Sequence, residues 1–446
     1  MRTRIGFHTL AFGFALGVAF LSGCGGSGGR RNATLPGPPT GLMANPSHMQ
    51  IDLAWNAVAG ATSYSVYRDT TTPVVSGPAT LVTSGVTATS YSDTGLTNGT
   101  TYFYVVTAVN AGGESPDSME VWATPGTYWV DGVSGSDSNS GSFVAPFRTI
   151  TFALGVAVSG QFIKVLPATY DAALGEIFPL QPALGVQLIG DEANLGAGAN
   201  PVVISGIGLV GGTGDDATVV GADGGRIAGF MIGDSTSAVF HFGVYISGVT
   251  TTAASNTFMG PTYGGVLLEG AGSSIVENNE FDTVSYGVYV RSCPDAPSVR
   301  NNLFRAMAIP IDVVGTTTNV IIEANTITGN GQSGIQVQHG TPRIENNVFD
   351  LASGYTYGGV RTAFPSAMPI LRGNVFQCTT GVVIDAGTPD LGTSSDPGNN
   401  DFSLVSGVSI THNAPTTVSA IGNTFPNNPP ILGVDIVITA GGTLLY

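Results

Sequence analysis

The chain has 446 residues, and its 64 glycines and 26 prolines make up about a fifth of it, short of the proportion that marks a low-complexity, unstructured chain. Charged residues are only 10% and hydrophobic ones 42%, the reverse of the balance that keeps a chain disordered. The net charge of −16 would repel a phosphate backbone, so the composition speaks against nucleic acid as a partner.

The first 24 residues read as an address. Arg2 and Arg4 form a basic start, and an apolar stretch broken by Gly6, His8, Gly13 and Gly17 follows. It is too short and too glycine-broken for a comfortable membrane span, so export is the better reading. Leu21-Ser22-Gly23-Cys24 closes the segment. This tetrad resembles the lipobox of bacterial lipoprotein signals, which implies cleavage before Cys24, acylation of its thiol and membrane attachment through the lipid. The expected location is therefore the bacterial cell envelope, at the outer membrane or cell surface. Residues 25–35, opening Gly-Gly-Ser-Gly-Gly, read as a flexible linker.

Residues 36–125 show short alternating apolar runs at the spacing of a sandwich. Pro38-Pro39 opens the unit, Trp55 falls at an inward position, and Tyr102 follows Leu96 by six residues. The segment resembles a fibronectin type III domain, with Tyr102 as the tyrosine corner. The resemblance implies a spacer or a glycan- or protein-binding module.

From residue 127 to 446 the chain repeats. Asn256, Asn279, Asn302, Asn325, Asn347, Asn374, Asn400 and Asn423 are each followed two residues later by Phe or Ile, at steps of 22 to 27 residues. A second marker, Gly followed by Val or Ile, keeps nearly the same period, from Gly243-Val244 to Gly433-Val434, with Pro310 replacing the glycine once. A fixed period of this size marks a solenoid, and two-residue alternation makes its rungs strands. The asparagines are expected at turns, stacked as a hydrogen-bonding ladder. The pattern resembles the right-handed parallel β-helix of the pectin-lyase-like superfamily. Its entry, with Gly135-Ser136-Asp137-Ser138-Asn139, Ala145-Pro146-Phe147-Arg148-Thr149-Ile150 and Pro167-Ala168-Thr169-Tyr170, resembles the N-terminal segment of a bacterial family of unknown function. Residues 149–158 read as a short helix plugging the open end. The fold class is thus all-β, a sandwich followed by a β-helix.

Strand alternation maps one outer face. The residues after each inward Val or Ile are Tyr245, Leu267, Tyr289, Asp312, Gln336, Arg361, Val383, Ser409 and Asp435. A neighbouring column holds Ser247, Glu269, Arg291, Val314, Gln338 and Asp385. Together they predict a patch of Tyr289, Arg291, Asp312, Gln336, Gln338 and Arg361, the mixture a sugar-binding groove uses. Glycoside hydrolysis needs two carboxyls within about 5–9.5 Å, and Asp312 has no second acid beside it in the column. Asp312 and Arg361 are the catalytic candidates should the protein be a lyase or hydrolase. Asp215-Asp216 read as part of a Gly-rich loop.

No cofactor is called for. Asp137-Ser138-Asn139-Ser140-Gly141 resembles part of a calcium loop but lacks the closing Glu, and the histidines show no metal spacing. Cys293 and Cys378 fall four repeats apart, about 19 Å along the axis, and are expected as free thiols. Three functions stay open: a non-catalytic surface protein binding glycan or a surface protein through the helix face, a polysaccharide lyase or glycoside hydrolase, and a structural stalk or adhesin.

Overall fold

The computed structural model describes residues 34–446 apart from 212, 234–240, 261–262, 294, 316–319, 330 and 352–356. The segment read as an export signal, with Cys24, lies outside the described residues.

The N-terminal unit is a β-sandwich. Met43–Ser47, Gln50–Ala54 and Ser90–Thr94 form one antiparallel sheet, and Ser63–Asp69 pairs with Leu81–Val86 and Tyr102–Asn110 in the other. Alternation sends Ile51, Leu53, Trp55, Tyr64, Val66, Tyr104 and Val106 into one core. Trp55 packs edge-on against Tyr64, with ring centroids 5.3 Å apart. The corner predicted from Tyr102 forms: its hydroxyl accepts from the Thr97 backbone N–H at 3.2 Å, one residue after buried Leu96.

The solenoid begins at Thr127–Val130 and coils as three stacks of parallel strands, a right-handed parallel β-helix. The stacks carry ten, nine and eleven strands, the last including one antiparallel edge strand, Gly208–Leu209. We call them the first, second and third sheets. The helix Ile150–Val156 covers the open end and buries Ile150, Ala153 and Leu154. The Thr149 side chain caps it, and the buried Glu176 carboxylate accepts from the Ile150 and Thr151 backbone N–H groups at 2.7 and 2.8 Å.

The repeat pattern becomes three ladders. At the turn from first to second sheet each asparagine amide donates to the side-chain oxygen of the next, at 2.8–3.1 Å from Asn256 to Asn423. The same oxygen accepts the backbone N–H of the asparagine before it, so each buried carbonyl oxygen satisfies two donors. The residue ahead of each asparagine is left-handed, with φ of 53 to 55° at Ser255, Asn278, Asn301, Ala324 and Asn346. Two positions on, phenylalanine rings stack along the second sheet, with centroids 4.7–5.4 Å apart.

The glycine of the third sheet has a steric cause. A Cβ at Gly243, Gly265, Gly287, Gly334, Gly359 or Gly381 would sit 2.4–2.9 Å from the ring of Phe258, Phe281, Phe304, Phe349, Phe376 or Phe402. Each glycine makes room for the ring of the following coil. The one coil with Pro310 in that place is followed by Ile327 where the others have Phe. The bulk added by the proline is compensated by the smaller side chain. Ile327→Phe is therefore expected to destabilise by about 1–3 kcal/mol through overpacking. Adding Pro310→Gly should recover most of that loss in urea denaturation.

Two positions of the outward column are corrected. In the structure Val382 pairs with Ile410 and Ile410 with Ile436, so Thr411 and Val437, not Ser409 and Asp435, continue the column. Gly433 lies in a turn rather than ahead of an inward strand residue, with φ of 86°. Ser409 and Asp435 are buried, and the Asp435 carboxylate accepts from Asn427 and from the Ile431 N–H.

The two units are joined closely. Trp129 Nε1 donates to the Pro46 carbonyl at 2.7 Å, and the His48 ring stacks on Tyr128 at 4.8 Å.

Candidate functional site

The third sheet presents the outward column in hydrogen-bonded register: Tyr245, Leu267, Tyr289, Asp312, Gln336, Arg361 and Val383 are successive partners. The strands carrying them, from His241–Ser247 to Thr380–Ile384, alternate an inward Val or Ile with these residues. Spacing between adjacent members is that of a parallel ladder, about 4.8 Å.

The first members are not surface. Tyr245 and Leu267 are buried, packed with Phe242 and Ala217 beneath Val210 of the segment that turns back through Gly208–Leu209. An apolar outer position invites a cover, and alternation alone does not reveal one. Asp215, expected in an open loop, is buried beside this cover and its carboxylate reaches Arg291 Nη2 at 2.7 Å. Arg291 Nε bonds Glu269 at 2.7 Å, and the Glu269 carboxylate also accepts from the Tyr245 hydroxyl. The two carboxylates hold the Arg291 guanidinium above its ordinary value despite burial.

The predicted patch therefore divides. Arg291 turns toward Asp215 and Glu269. Asp312, Gln336, Gln338 and Arg361 are joined directly, with Tyr289 beside Asp312 in register. Gln338 Nε2 donates to both Asp312 oxygens at 3.2 Å, and Gln336 Nε2 reaches them at 3.3 and 3.5 Å. Arg361 Nη1 donates to Gln336 Oε1 at 3.4 Å, while its Nε bonds Asp385 at 2.7 Å. Its guanidinium lies over the Tyr357 ring at 3.8 Å. Asp385 also accepts from Asn413 at 2.8 Å, and Asn413 accepts from Thr439 at 2.7 Å. One polar chain thus crosses six coils. Asp385, Asn413 and Tyr357 were absent from the predicted patch; Asp385 alone was visible, in the neighbouring column.

Asp312 is 2% exposed, and its carboxylate accepts from the amides of Gln336 and Gln338. Burial pushes its carboxyl up to about 6, against the pull of Gln338 and Gln336. Gln336, Gln338, Arg361 and Tyr289 are half-buried and reach the surface. Tyr289 meets Tyr286 edge-on at 5.5 Å and Phe242 at 6.1 Å, and Tyr286 lies 4.9 Å from Tyr263. Burial raises the Tyr289 hydroxyl, and neighbouring Asp312 adds to the rise. In chemical terms the face offers amides, a guanidinium and tyrosine rings to a ligand, with the carboxyl behind them. The Asp312 carboxylate holds both amides in place. A guanidinium is a poor proton acceptor, and that of Arg361 is bonded to Asp385.

No group of three or more His, Cys, Asp or Glu suited to a metal occurs among the described residues. The Asp137 carboxylate, raised above as part of a calcium-like loop, accepts from the Arg148 and Thr149 backbone N–H groups at 2.9 and 3.0 Å and from the Thr149 hydroxyl. Neither Cys293 nor Cys378 forms a disulfide; both are buried, and burial pushes both thiols up, to about 11 and about 12. His339 is half-buried; its Nδ1 lies 2.6 Å from Ser366 Oγ and its ring stacks on Phe364. No described helix is long and apolar enough to cross a membrane.

Among known proteins, the chain is 45% identical over 96 residues to an amylopullulanase of Thermoanaerobacter thermohydrosulfuricus, covering 21% of this chain and 6% of that protein. It is 44% identical over 88 residues to a poly(3-hydroxybutyrate) depolymerase of Ralstonia pickettii, covering 19% of this chain and 16% of that protein. The chain thus spans only a small fraction of the length of these curated relatives. Among solved structures, a Fn3-like protein from Clostridium thermocellum is 41% identical over 20% of this chain and 92% of its own, with a TM-score of 0.18. A family 28 exopolygalacturonase from Yersinia enterocolitica covers 91% of this chain and 98% of its own at 13% identity and a TM-score of 0.32. The family model described as "Protein of unknown function (DUF1565)" matches residues 133–432, most of the β-helix, and the chain belongs to that family.

Proposed function

We propose that this is an exported, lipid-anchored surface protein that binds glycan without cleaving it, through the third-sheet face around Gln336. The observation that carries this reading is the polar chain Asp312–Gln336–Arg361–Asp385, flanked by Tyr289 and Tyr357. Amides and a guanidinium locked in place by neighbours lose little entropy on meeting hydroxyls or a carboxylate, and tyrosine rings stack on pyranose faces. The resemblance of part of the chain to an amylopullulanase and to a poly(3-hydroxybutyrate) depolymerase supports a polymer-facing role. Lipidation at Cys24, placement at the envelope and the absence of a cofactor belong to the same proposal and rest on the sequence.

One observation favours a hydrolytic reading instead: a carboxyl held at about 6 can act as an acid near neutral pH. Its burial, and the commitment of Arg361 to Asp385, weigh against it. A glycan array probed with the full chain, together with reducing-end and unsaturated-product assays on the glycans retained, separates the readings. Retention of a glycan without new reducing ends or unsaturated product is expected. Cleavage would establish the enzyme, and retention of no glycan would leave the stalk.

A further inference from the structure

Lys164 is the only lysine in the sequence. Every described arginine except the exposed Arg148 lies within 4.0 Å of a carboxylate. Among the described residues Lys164 lies within 4.0 Å of none, although it is half-buried. The nearest acid to influence it is Glu192, whose carboxylate is already bonded to Arg226 at 2.5 Å. A partly desolvated ammonium without a counter-charge is costly, and burial indeed pushes the amine below its ordinary value. In a chain of net charge −16, a half-buried cation with no ion-pair partner among the described residues is a local exception.

Its surroundings make a cleft. Lys164 and Phe162 of the first solenoid coils face Trp122, Ala44 and Pro46 of the sandwich across a cavity of ≈ 450 Å³. Trp122 is 66% exposed and Phe162 44%, unusual for side chains of this size flanking a single groove. The hydrogen bond from Trp129 to Pro46 and the stacking of His48 on Tyr128 fix the two walls relative to each other. An exposed indole face, a phenyl ring and one unneutralised ammonium in a pre-formed concavity suit a ligand that is flat, partly apolar and negatively charged. A pyranose bearing a carboxylate has those properties: its C–H face stacks on the indole while its carboxylate meets the ammonium.

We infer that the cleft between the sandwich and the first solenoid coils binds a hexuronate residue of an acidic glycan, with Trp122 as stacking platform and Lys164 as carboxylate partner. This site is separate from the third-sheet face and stands on its own residues. Titration calorimetry of the full chain with trigalacturonate, and with neutral maltotriose as control, tests it. Wild type is expected to bind the acidic trisaccharide at least tenfold more tightly than the neutral one. Lys164→Gln and Trp122→Ala should each weaken that binding at least tenfold, and Lys164→Arg should retain most of it. Ser403→Ala, at an exposed position that belongs to neither site, should leave it unchanged. Because Trp122 is exposed, Trp122→Ala gives a readout even if Lys164→Gln disturbs folding. Equal affinity for the two trisaccharides, no binding of trigalacturonate, or full binding by both Lys164→Gln and Trp122→Ala would overturn the inference. Loss on Gln336→Ala alone would remove this cleft and leave the third-sheet reading standing.

Discussion

Asn325→Ala should lower the stability of the solenoid by about 3–5 kcal/mol, one of the largest effects any single substitution in this chain will produce. Asn325 is fully buried at the middle of the ladder. Its side-chain oxygen accepts the Asn302 backbone N–H and the Asn302 amide, both at 3.0 Å. Its own amide donates to the Val299 carbonyl at 2.8 Å and to Asn347 at 2.9 Å. Alanine removes four hydrogen bonds from an interior that water does not reach; the Asn302 amide keeps the Val276 carbonyl and the Asn347 oxygen keeps the Asn325 N–H, while each group left without a partner costs about 1–3 kcal/mol before relaxation. Asn194→Ala, at an exposed position outside the ladder, should change stability by less than about 1 kcal/mol. Denaturant titration followed by circular dichroism reads both. A cost below that of the exposed control would mean that the ladder decorates the turn rather than holding it.

Asp312→Asn should act in the opposite direction, and only at high pH. The folded carboxyl stands at about 6 against an ordinary 3.8, so the folded state holds its proton more tightly than the unfolded chain does. Stability from this group is complete below pH 4 and is lost as pH rises through 6, because a charge is then forced into a buried site. The difference corresponds to about 3 kcal/mol once both states are ionised. Asparagine carries no charge to bury, so the variant should exceed wild type by about 3 kcal/mol at pH 8 and match it near pH 4. An advantage equal at both pH values would show that packing, not ionisation, separates them. That wild type keeps a destabilising acid here fits a residue retained to aim Gln336 and Gln338.

The fold was largely legible because its determinants repeat. A ladder of Asn and Phe positions is dictated by contacts between equivalent residues of adjacent coils, so each position is written eight times over. Even the exception was informative, once Pro310 and Ile327 are recognised as one packing unit. The site was legible in part. Alternation correctly put Asp312, Gln336 and Arg361 on one outward line. It could not reveal that Val210 covers Tyr245 and Leu267, nor that Asp215 reaches Arg291 from 76 residues away, because those contacts come from a non-repeating insertion. The shift at Ser409 and Asp435 has a related origin: the glycine marker recurs at Gly407 and Gly433, but longer connections move the paired residue by two. Burial of Asp312 was invisible for the same reason, since alternation gives the side of a sheet and not what lies above it.

The low charge and high glycine content follow from this architecture. Apolar rungs, asparagine turns and glycines cleared for aromatic rings fill positions that charged residues occupy elsewhere.

The most direct test of the third-sheet face is the affinity of the double variant Gln336→Ala/Arg361→Ala for a glycan that wild type retains. Both residues are half-buried, lie at the centre of the polar chain and contribute nothing to the inward row. Loss of at least tenfold in affinity, with denaturation midpoints within those of conservative surface variants, is the expected result. Unchanged affinity in a folded double variant would contradict the proposed role of this face.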